Sequence, residues 1–309
     1  MTELILVAGE ALYDLVLGED GQVDAHPGGG PFNTARTIGR LRQPVAFLGR
    51  LSTDRFGSTL ERMLKDDGVR LDTVVHTDEP TTLAIAELDA GGSARYRFYE
   101  RATSAPGLTP EAALAHLPDD VAILHVGTLG LTLEPIATAL EAVVTHLAPS
   151  ALIVVDPNVR PSLIADPAAH RERLHRIFGS AHVVKVSEED VAWLSPAQSP
   201  PEAARALLEH GPRVVLLTRG PEGAVVLTPH DELAVQVPPT QVVDTIGAGD
   251  AFGGGFVAWW TLRGLHADDL ADTNKVYDAA RFAAQVASRT VERAGAEPPD
   301  LTDLEAPGS

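Results

Sequence analysis

The chain has 309 residues, of which 44% are hydrophobic and 22% charged, a composition that excludes a disordered or fibrous protein. The 43 acidic residues outnumber the 24 basic ones, and the net charge of −19 argues against nucleic acid or an anionic membrane as a partner. Disulfides, cysteine zinc sites and thiol nucleophiles are excluded because the sequence has no cysteine. We expect a cytoplasmic protein, since the sequence shows neither a signal-peptide pattern nor an apolar run long enough to span a membrane.

Short apolar runs alternate with longer stretches of helical spacing along the chain. Strands are predicted at Leu4–Ala8, Val45–Leu48, Val121–Val126, Ala151–Val155, His182–Val186, Val214–Thr218 and Gly223–Leu227. Helices are predicted near residues 31–42, 56–67, 133–147, 167–178, 201–210, 248–263 and 275–292. Several of the strands are apolar throughout, which is typical of strands covered by helices on both faces. The pattern predicts an α/β fold with a doubly wound, mostly parallel sheet and helices on both faces.

Two segments interrupt this alternation, and in both of them polar and apolar residues alternate around turns. They predict a small antiparallel β lid that stands off the main sheet, formed roughly by residues 11–26 and 81–101. No change of composition marks a linker, so we expect a single domain over residues 1–309. The Pro-rich, acidic residues 296–309 are expected to form a loosely ordered tail.

The most informative segment is Asp-Thr-Ile-Gly-Ala-Gly-Asp, which ends at Asp250 and is followed closely by three more glycines. Gly247, Ala248 and Gly249 are predicted to lead into a helix, where free backbone amides and the helix dipole bind an anion such as a phosphate. Asp250 adds a carboxylate that can accept a proton from an attacking hydroxyl. Alternatively, Asp250 only complements the helix dipole and the glycines form a tight turn. The combination of all these residues favours the functional interpretation.

A second glycine-rich segment, Gly-Gly-Gly-Pro-Phe-Asn, precedes a predicted helix and ends at Asn33. Its glycines allow a ligand to approach the backbone, and Asn33 offers both a donor and an acceptor to a hydroxyl. A plain glycine turn with Asn33 in solvent explains the segment equally well. The sequence has no Walker A loop, no His-Glu-x-x-His zinc motif and no protein-kinase His-Arg-Asp. A nucleotide would therefore be bound by another architecture.

Together, these two segments resemble the two signatures of the PfkB (ribokinase-like) carbohydrate kinases, in order and in spacing. The resemblance covers almost the whole chain, because further segments match family landmarks: Gly9–Asp14, Gly49–Asp54 followed by Gly57, Asp156–Arg160 and Thr218–Gly223. Within the family, the first and third of these segments are most similar to fructokinases and to 2-keto-3-deoxygluconate kinases.

The resemblance implies phosphorylation of a sugar hydroxyl by ATP with Mg²⁺, on a Rossmann-like domain with a β lid. Asp250 would be the general base, and the amides of Gly247, Ala248 and Gly249 would stabilise the transferred phosphoryl group. The residues expected to bind the sugar are Asp14, Gly29, Gly30, Asn33, Arg97, Asn158 and Arg160. The residues expected to bind the nucleotide are Lys185, Ser187, Thr218, Gly220, Gly223 and Ala283.

The resemblance also implies metal ions, although one metal-linked motif departs from the family pattern. Potassium would lie near the anion site beside Asp244 and Ile246. Many members carry Asn-x-x-Glu where this chain reads Ser187-x-x-Asp190, and Glu189 is the candidate for a link to magnesium. The alternative is structural, with Ser187 capping a helix whose first turn is acidic.

The choice of substrate rests on few residues. Arg97 lies in a basic and aromatic alternation that could face a ligand or could form a charged edge strand, and Arg160 is a second cation near the site. We rank a fructokinase first, a 2-keto-3-deoxygluconate kinase second, and a ribokinase or nucleoside kinase third. A non-catalytic sugar-binding regulator is a hypothesis of another class, against which Asp250 argues. A homodimer through the lid is expected, because exposed strand edges need cover.

Overall fold

A computed structural model of the chain describes residues 3–18, 21–88 and 94–304, with the backbone alone at residues 87–88 and 94–96. The strands are β1 (Leu4–Ala8), β2 (Leu12–Leu17), β3 (Val23–Gly28), β4 (Val45–Leu48), β5 (Arg50–Ser52), β6 (Val75–Thr77), β7 (Leu83–Leu88), β8 (Ala94–Tyr99), β9 (Val121–Gly127), β10 (Leu152–Asp156), β11 (Val183–Ser187), β12 (Val214–Thr218), β13 (Ala224–Leu227) and β14 (Glu232–Val235). The α-helices are α1 (Gly30–Arg40), α2 (Arg55–Asp66), α3 (Pro110–Ala115), α4 (Ile136–Leu147), α5 (Pro167–Phe178), α6 (Glu188–Leu194), α7 (Pro200–Ala206), α8 (Ala248–Leu262) and α9 (Thr273–Thr290).

The central sheet has the strand order β14-β13-β12-β11-β10-β9-β1-β4. All neighbours are parallel except at one edge, where β13 is antiparallel to both β12 and β14. The predicted mostly parallel, doubly wound sheet is therefore confirmed, and every predicted strand and helix has a counterpart. The predicted elements do not include α3, β5, β6 and β14, which are too short to show a clear period, and they include α6 only as the alternative in which Ser187 caps a helix.

The core consists of two layers, one on each face of the sheet. Alternate residues of β1 separate into these layers, with Ile5 and Val7 beside Phe256 of α8, and Leu4 and Leu6 beside Leu140 of α4. Helices thus cover both faces, which explains why the strands are apolar throughout.

The lid is a second sheet with the order β3-β2-β7-β8. The outer pairs, β2 with β3 and β7 with β8, are antiparallel hairpins, but β2 and β7 are parallel in the middle. The prediction of an antiparallel lid is therefore wrong for its central pair. Alternation along a strand shows which residues share a face, but it cannot show the direction of a neighbouring strand that follows much later in the chain. The turn at Gly91-Gly92 lies outside the described residues.

The end of the chain contacts α1. Arg36 pairs with Glu297 (Nη2 to Oε2, 2.8 Å), and Arg40 Nη1 donates to Pro298 O at 2.7 Å. Of the tail expected to be loosely ordered, the structure describes residues up to Leu304, and these contacts fix the first part of it to α1. Residues 305–309 lie outside the described part. Among the described helices, none has the length and apolar character required to cross a membrane.

Candidate active site

The site begins at the first turn of α8, at the carboxyl edge of the central sheet. Gly247 caps this helix in the left-handed region (φ 76°), where glycine is favoured, and its carbonyl accepts the first helical bond from Ala251 N–H at 2.8 Å. The Ala248 amide donates to a carbonyl of the preceding loop at 3.3 Å. Within the described part of the chain, the amides of Gly249 and Asp250 have no acceptor. These two amides form the nucleus of an anion site at a helix N-terminus.

Asp250 lies beside these amides and is hydrogen bonded to α1. Asn33 Nδ2 donates to Asp250 Oδ2 at 2.9 Å, and both side chains are buried. Burial raises the pKa of Asp250 to about 6, assisted by the negative charge of Asp156, while the Asn33 hydrogen bond and the charge of Lys185 act in the opposite direction. Asn33 Oδ1 is buried without a partner in the described residues, which makes it available to a hydroxyl donor.

A buried ion pair lies directly beneath the first turn of α8. Lys185 Nζ is 2.6 Å from Asp156 Oδ2, and a Cβ placed on Gly249 would lie 3.3 Å from that ammonium. Although burial alone would lower the pKa of Lys185, the charge of Asp156 and its hydrogen bond raise it above the usual value. A permanent positive charge therefore lies behind the free amides.

The glycines of α8 allow this close packing. A Cβ on Gly254 would come within 2.8 Å of Thr37 Cβ on α1, whereas one on Gly253 would make an ordinary contact of 3.4 Å with His125 Nε2. Gly255 packs against Ala283 of α9, whose Cα would be 3.0 Å from an added Cβ. Ala283, predicted to bind nucleotide, is therefore a fully buried packing residue, and the structure does not bring it to the site.

His125 lies in the same buried layer and was missed by the sequence reading. Both of its ring nitrogens are buried without a partner in the described residues. Burial, together with the charge of Lys185, lowers its pKa to about 3, so the ring is neutral. An isolated histidine inside an apolar strand gives no sequence signal that distinguishes it from an ordinary core residue.

The sugar side of the site is formed by the inner face of the lid and the glycine loop. Burial and the charge of Asp250 raise the pKa of Asp14 to about 6, although His26 and Arg160 lower it. Gly29 has φ 107°, and a Cβ there would lie 2.8 Å from Glu10 O. Asn33 and Gly30 therefore adjoin Asp250, Asp14 is close enough to interact with its charge, and Gly29 packs against Glu10.

Asn158 and Arg160 follow β10 and reach the same region. Asn158 has φ 38°, and Arg160 Nη1 donates to its Oδ1 at 2.6 Å. Arg160 also lowers the pKa of both Asp14 and Asp250 through its charge. It is exposed and thus lies at the mouth of the site, where it can meet a solvated substrate.

Arg97 lies on the other face of the lid. It pairs with Ile85, which pairs with Leu15, the residue after Asp14. Because side chains alternate along a strand, Arg97 and Asp14 point to opposite faces of the lid. The structure therefore does not bring Arg97 to the site. The side chain of Arg95, in the same motif, lies outside the described residues.

Glu10 joins two parts of the site and was not predicted as a site residue. Its Oε1 accepts from Gly30 N–H at 3.2 Å and its Oε2 from Gly130 N–H at 2.9 Å. Burial, assisted by the charge of Asp250, raises the pKa of Glu10 to about 8, although the backbone amides of Glu10, Gly130 and Gly30 act in the opposite direction. The carboxyl therefore holds its proton more strongly than an exposed glutamic acid does. Only the wider Gly-Glu-x-Leu landmark pointed to it.

The predicted nucleotide residues after β12 line an exposed turn. Thr218 ends the strand and donates to Val186 O at 3.2 Å, and Gly220 follows with φ 52° in open space. Gly223 (φ 91°) packs closely against Val235 O, so a side chain cannot fit there. Gly220 thus leaves room for a ligand, whereas Gly223 shapes the β12–β13 hairpin.

The segment that departs from the family pattern is a helix cap. Ser187 is the N-cap of α6, and its hydroxyl lies 2.8 Å from Asp190 Oδ2 while accepting from Asp190 N–H at 3.1 Å. Asp190 Oδ1 also accepts from Val159 N–H at 2.7 Å. The capping alternative accounts for both residues, and Glu189 is left exposed between them.

Asp244 closes the loop before α8. Its Oδ1 accepts from Ile246 N–H at 3.0 Å and its Oδ2 from Gly295 N–H at 2.8 Å. The loop predicted to hold potassium is thus connected to the segment that follows α9. Over residues 3–18, 21–88 and 94–304, no group of three or more ligating His, Asp or Glu side chains could hold a metal by itself.

A buried carboxylate next to free helix amides, with a lysine behind those amides, is the arrangement expected of a phosphotransferase that acts on an alcohol group. Residues 2–303 match the pfkB family of carbohydrate kinases, and the chain belongs to this family. It is 36% identical to a fructokinase of Rhizobium leguminosarum bv. trifolii over 260 residues, which cover 82% of this chain and 79% of that protein.

Solved structures of similar fold agree with this assignment. The fructokinase of Xylella fastidiosa with bound ATP is 27% identical, with a TM-score of 0.87 over 98% of this chain and 95% of that chain. A fructokinase double mutant of Vibrio cholerae O395, bound to fructose, ADP and potassium, is 27% identical, with a TM-score of 0.83 over 96% and 94%. The predicted family, ribokinase-like fold and carbohydrate kinase activity are confirmed.

Proposed function

We propose that the protein transfers the γ-phosphoryl group of ATP to a hydroxyl of fructose. The observation that carries the proposal is the Asn33–Asp250 hydrogen bond of 2.9 Å, which aims a buried carboxylate at the space beside the free amides of α8. The similar proteins of Rhizobium and Xylella, both named fructokinases, support fructose as the acceptor and ATP as the donor.

Asp250 acts as the general base in this mechanism. Above about pH 6 it is ionised, and it accepts the proton of the acceptor hydroxyl as the oxygen attacks the γ-phosphorus. Asn33 holds Oδ2, so that Oδ1 is presented to the sugar. Asp14, Gly29, Gly30, Asn158 and Arg160 bind the remaining hydroxyls.

The first turn of α8 stabilises the charge that moves onto the transferred group. The amides of Gly249 and Asp250 donate to its oxygens, joined by those of Gly247 and Ala248 as the loop before the helix adjusts. Lys185 adds a positive charge behind Gly249, and Asp156 keeps that ammonium protonated. Thr218 and Gly220 line the side where the nucleotide enters.

Two metal ions belong to the proposal. Mg²⁺ would be held largely by the phosphate oxygens, with exposed Glu189 as the nearby carboxylate, and it would neutralise charge on the nucleotide. A donor set without a cluster of carboxylates suits this ion, which commonly binds through one or two carboxylates, phosphates and water. Potassium would be held by the loop of Asp244 and Ile246, as supported by the potassium-bound Vibrio fructokinase.

We also propose a homodimer through the outer face of the lid and a cytoplasmic location. Val23 and Tyr99 are 55% and 52% exposed, and Tyr99 shares its face with Arg97, away from the site. A second copy would cover these apolar side chains. A molar mass by light scattering that stays monomeric at every concentration would contradict the dimer. ATP is a cytoplasmic metabolite, which supports the location.

The activity is tested by ADP release with ATP, Mg²⁺ and K⁺ against fructose, 2-keto-3-deoxygluconate, ribose and adenosine. Turnover on fructose is expected to fall at least about 10²-fold in the isosteric Asp250→Asn variant, which keeps the shape but not the base. The kcat/KM of the wild type should fall as the pH drops below about 6, because protonated Asp250 cannot accept a proton.

Each other outcome of this panel changes the assignment. Turnover on another sugar only would replace fructose and keep the kinase, whereas fructose binding by calorimetry without ADP release would favour a non-catalytic sugar-binding protein. An Asp250→Asn variant as fast as the wild type would exclude this carboxylate as the base.

A further inference from the structure

The segment that joins β9 to α4 contains a residue in a costly conformation. Thr128 has φ 56°, in the left-handed region that β-branched residues avoid. Such a conformation costs free energy and persists only where the surroundings impose it, most often at functional sites. Thr128 is also 7% exposed, so its conformation is not a feature of a surface turn.

The neighbours of Thr128 are fixed on both sides. Gly127 packs so closely against the Asp156 backbone that a side chain cannot fit, and Gly130 N–H donates to Glu10 Oε2 at 2.9 Å. Leu129 belongs to the small apolar cluster beneath the inner face of the lid, together with Leu12 and Ala84. The main sheet, Glu10 and the lid therefore hold the segment, and Thr128 takes the conformation that they impose.

The hydroxyl of Thr128 lies at the centre of the sugar side of the site. A Cβ on Gly30 would overlap this hydroxyl, and the same point is 3.2 Å from Asp250 Oδ1. Asn158 Nδ2 donates to Thr128 Oγ1 at 3.5 Å. Among residues 3–18, 21–88 and 94–304, no acceptor takes the proton of this hydroxyl. The Thr128 hydroxyl thus lies between the start of α1, the start of α8 and the loop after β10. It has no acceptor among the described residues.

We propose that Thr128 is a specificity residue, whose hydroxyl donates a hydrogen bond to a sugar hydroxyl next to the one that is phosphorylated. The inference rests on the proposed sugar kinase activity. Asn33 occupies Asp250 Oδ2, so the acceptor hydroxyl approaches Oδ1, and the adjoining part of the sugar then lies beside Thr128. A donor buried without an acceptor costs free energy, and a polyol hydroxyl in this place would remove that cost.

The test compares Thr128→Val, which keeps the shape and the β-branch, with Thr128→Ser, which keeps the hydroxyl. With fructose, kcat/KM is expected to fall about 10-fold in the valine variant and to stay within about 3-fold in the serine variant, because one neutral hydrogen bond is lost. The KM for ATP should not change in either variant.

Fructose analogues that each lack one hydroxyl identify the contact. The analogue without the contacted hydroxyl should be a poorer substrate of the wild type, yet be used equally well by the wild type and by Thr128→Val. A valine variant that loses the same factor on every analogue would contradict the inference, because that pattern belongs to a general structural role.

Thr128→Gly keeps the test decisive if valine disturbs the fold. Glycine accepts a positive φ without strain, so this variant is expected to unfold at least as high in temperature as the wild type while losing the same discrimination. A glycine variant that discriminates between the analogues like the wild type would overturn the inference. If the wild type binds fructose but turns over no sugar, the same variants and analogues are compared by their dissociation constants. A wild type that neither turns over nor binds any sugar would overturn the proposed function, and the inference with it.

Discussion

The floor of the site and the lid above it are built differently. Asp250, Lys185 and Asp156 are buried; Asp250 is hydrogen bonded to Asn33, and Lys185 and Asp156 form an ion pair. The lid is a single sheet whose outer face leaves Val23 and Tyr99 more than half exposed. Packing therefore determines the geometry of the floor, whereas the geometry of the lid depends on what binds to its two faces.

This difference assigns a role to each region. In the proposed mechanism, the floor carries the charge that phosphoryl transfer needs, because its groups are shielded from water and their interactions are strong. The lid carries Asp14 on its inner face, next to the small apolar cluster of Leu12 and Ala84, and in the proposed mechanism it binds the sugar. We therefore expect substitutions in the floor to change the rate of the chemical step and the stability, and substitutions in the lid to change mainly substrate binding.

The largest effect is expected for Lys185→Met. The change leaves Asp156 buried without a counter-ion, which typically costs about 3–5 kcal/mol of stability. It also removes a positive charge from behind Gly249, and the loss of one such stabilising group lowers kcat by about 10²–10³-fold. Urea unfolding and steady-state kinetics measure the two effects.

Adding Asp156→Asn to Lys185→Met is the matched control. The double variant removes both charges of the ion pair, so most of the lost stability should return while kcat stays low. A single Lys185→Met variant with kcat close to that of the wild type would show that the ion pair only stabilises the fold.

An intermediate effect is expected from two neighbouring glycines of α8. Gly254→Ala places a Cβ 2.8 Å from Thr37 Cβ, so α1 and α8 must move apart, at a cost of about 1–3 kcal/mol. Gly253→Ala makes an ordinary 3.4 Å contact with His125 and gains about 0.5–1 kcal/mol of helix stability. Urea unfolding should therefore separate the two variants in opposite directions. Equal free energies of unfolding would mean that close helix packing does not determine the floor.

The floor could largely be predicted from the sequence, because its chemistry follows from local patterns. Glycines before a helix and an aspartate in its first turn each have a direct local meaning, whereas Asp156 and Lys185 were named only through the resemblance. The resemblance paired the segment that ends at Asp250 with the glycine-rich segment that ends at Asn33. In the structure, these two residues are hydrogen bonded to each other.

The rest depended on contacts between residues far apart in the chain. Thr128 and Glu10 are ordinary in sequence, and only the close approach of Gly30 and Gly130 gives them a place in the site. Alternation in the lid correctly predicted strands, but it could not show which face turns inward. For that reason Arg97 was placed among the sugar-binding residues, although the register puts it on the outer face.

The smallest effects are expected from the two candidate arginines, and they test the assignment of the lid faces. Arg160 lowers the pKa of Asp14 and Asp250, so Arg160→Ala should raise both pKa values. The acidic limb of the kcat/KM profile with fructose would then move to higher pH, because a greater part of Asp250 is protonated at each pH.

Arg97→Ala should leave this limb in place and change the KM for fructose by less than about 2-fold, because its strand position faces away from Asp14. If instead Arg97→Ala raises the KM for fructose while Arg160→Ala does not, the outer face of the lid must contact the sugar, and the assignment of the two faces would have to be reversed.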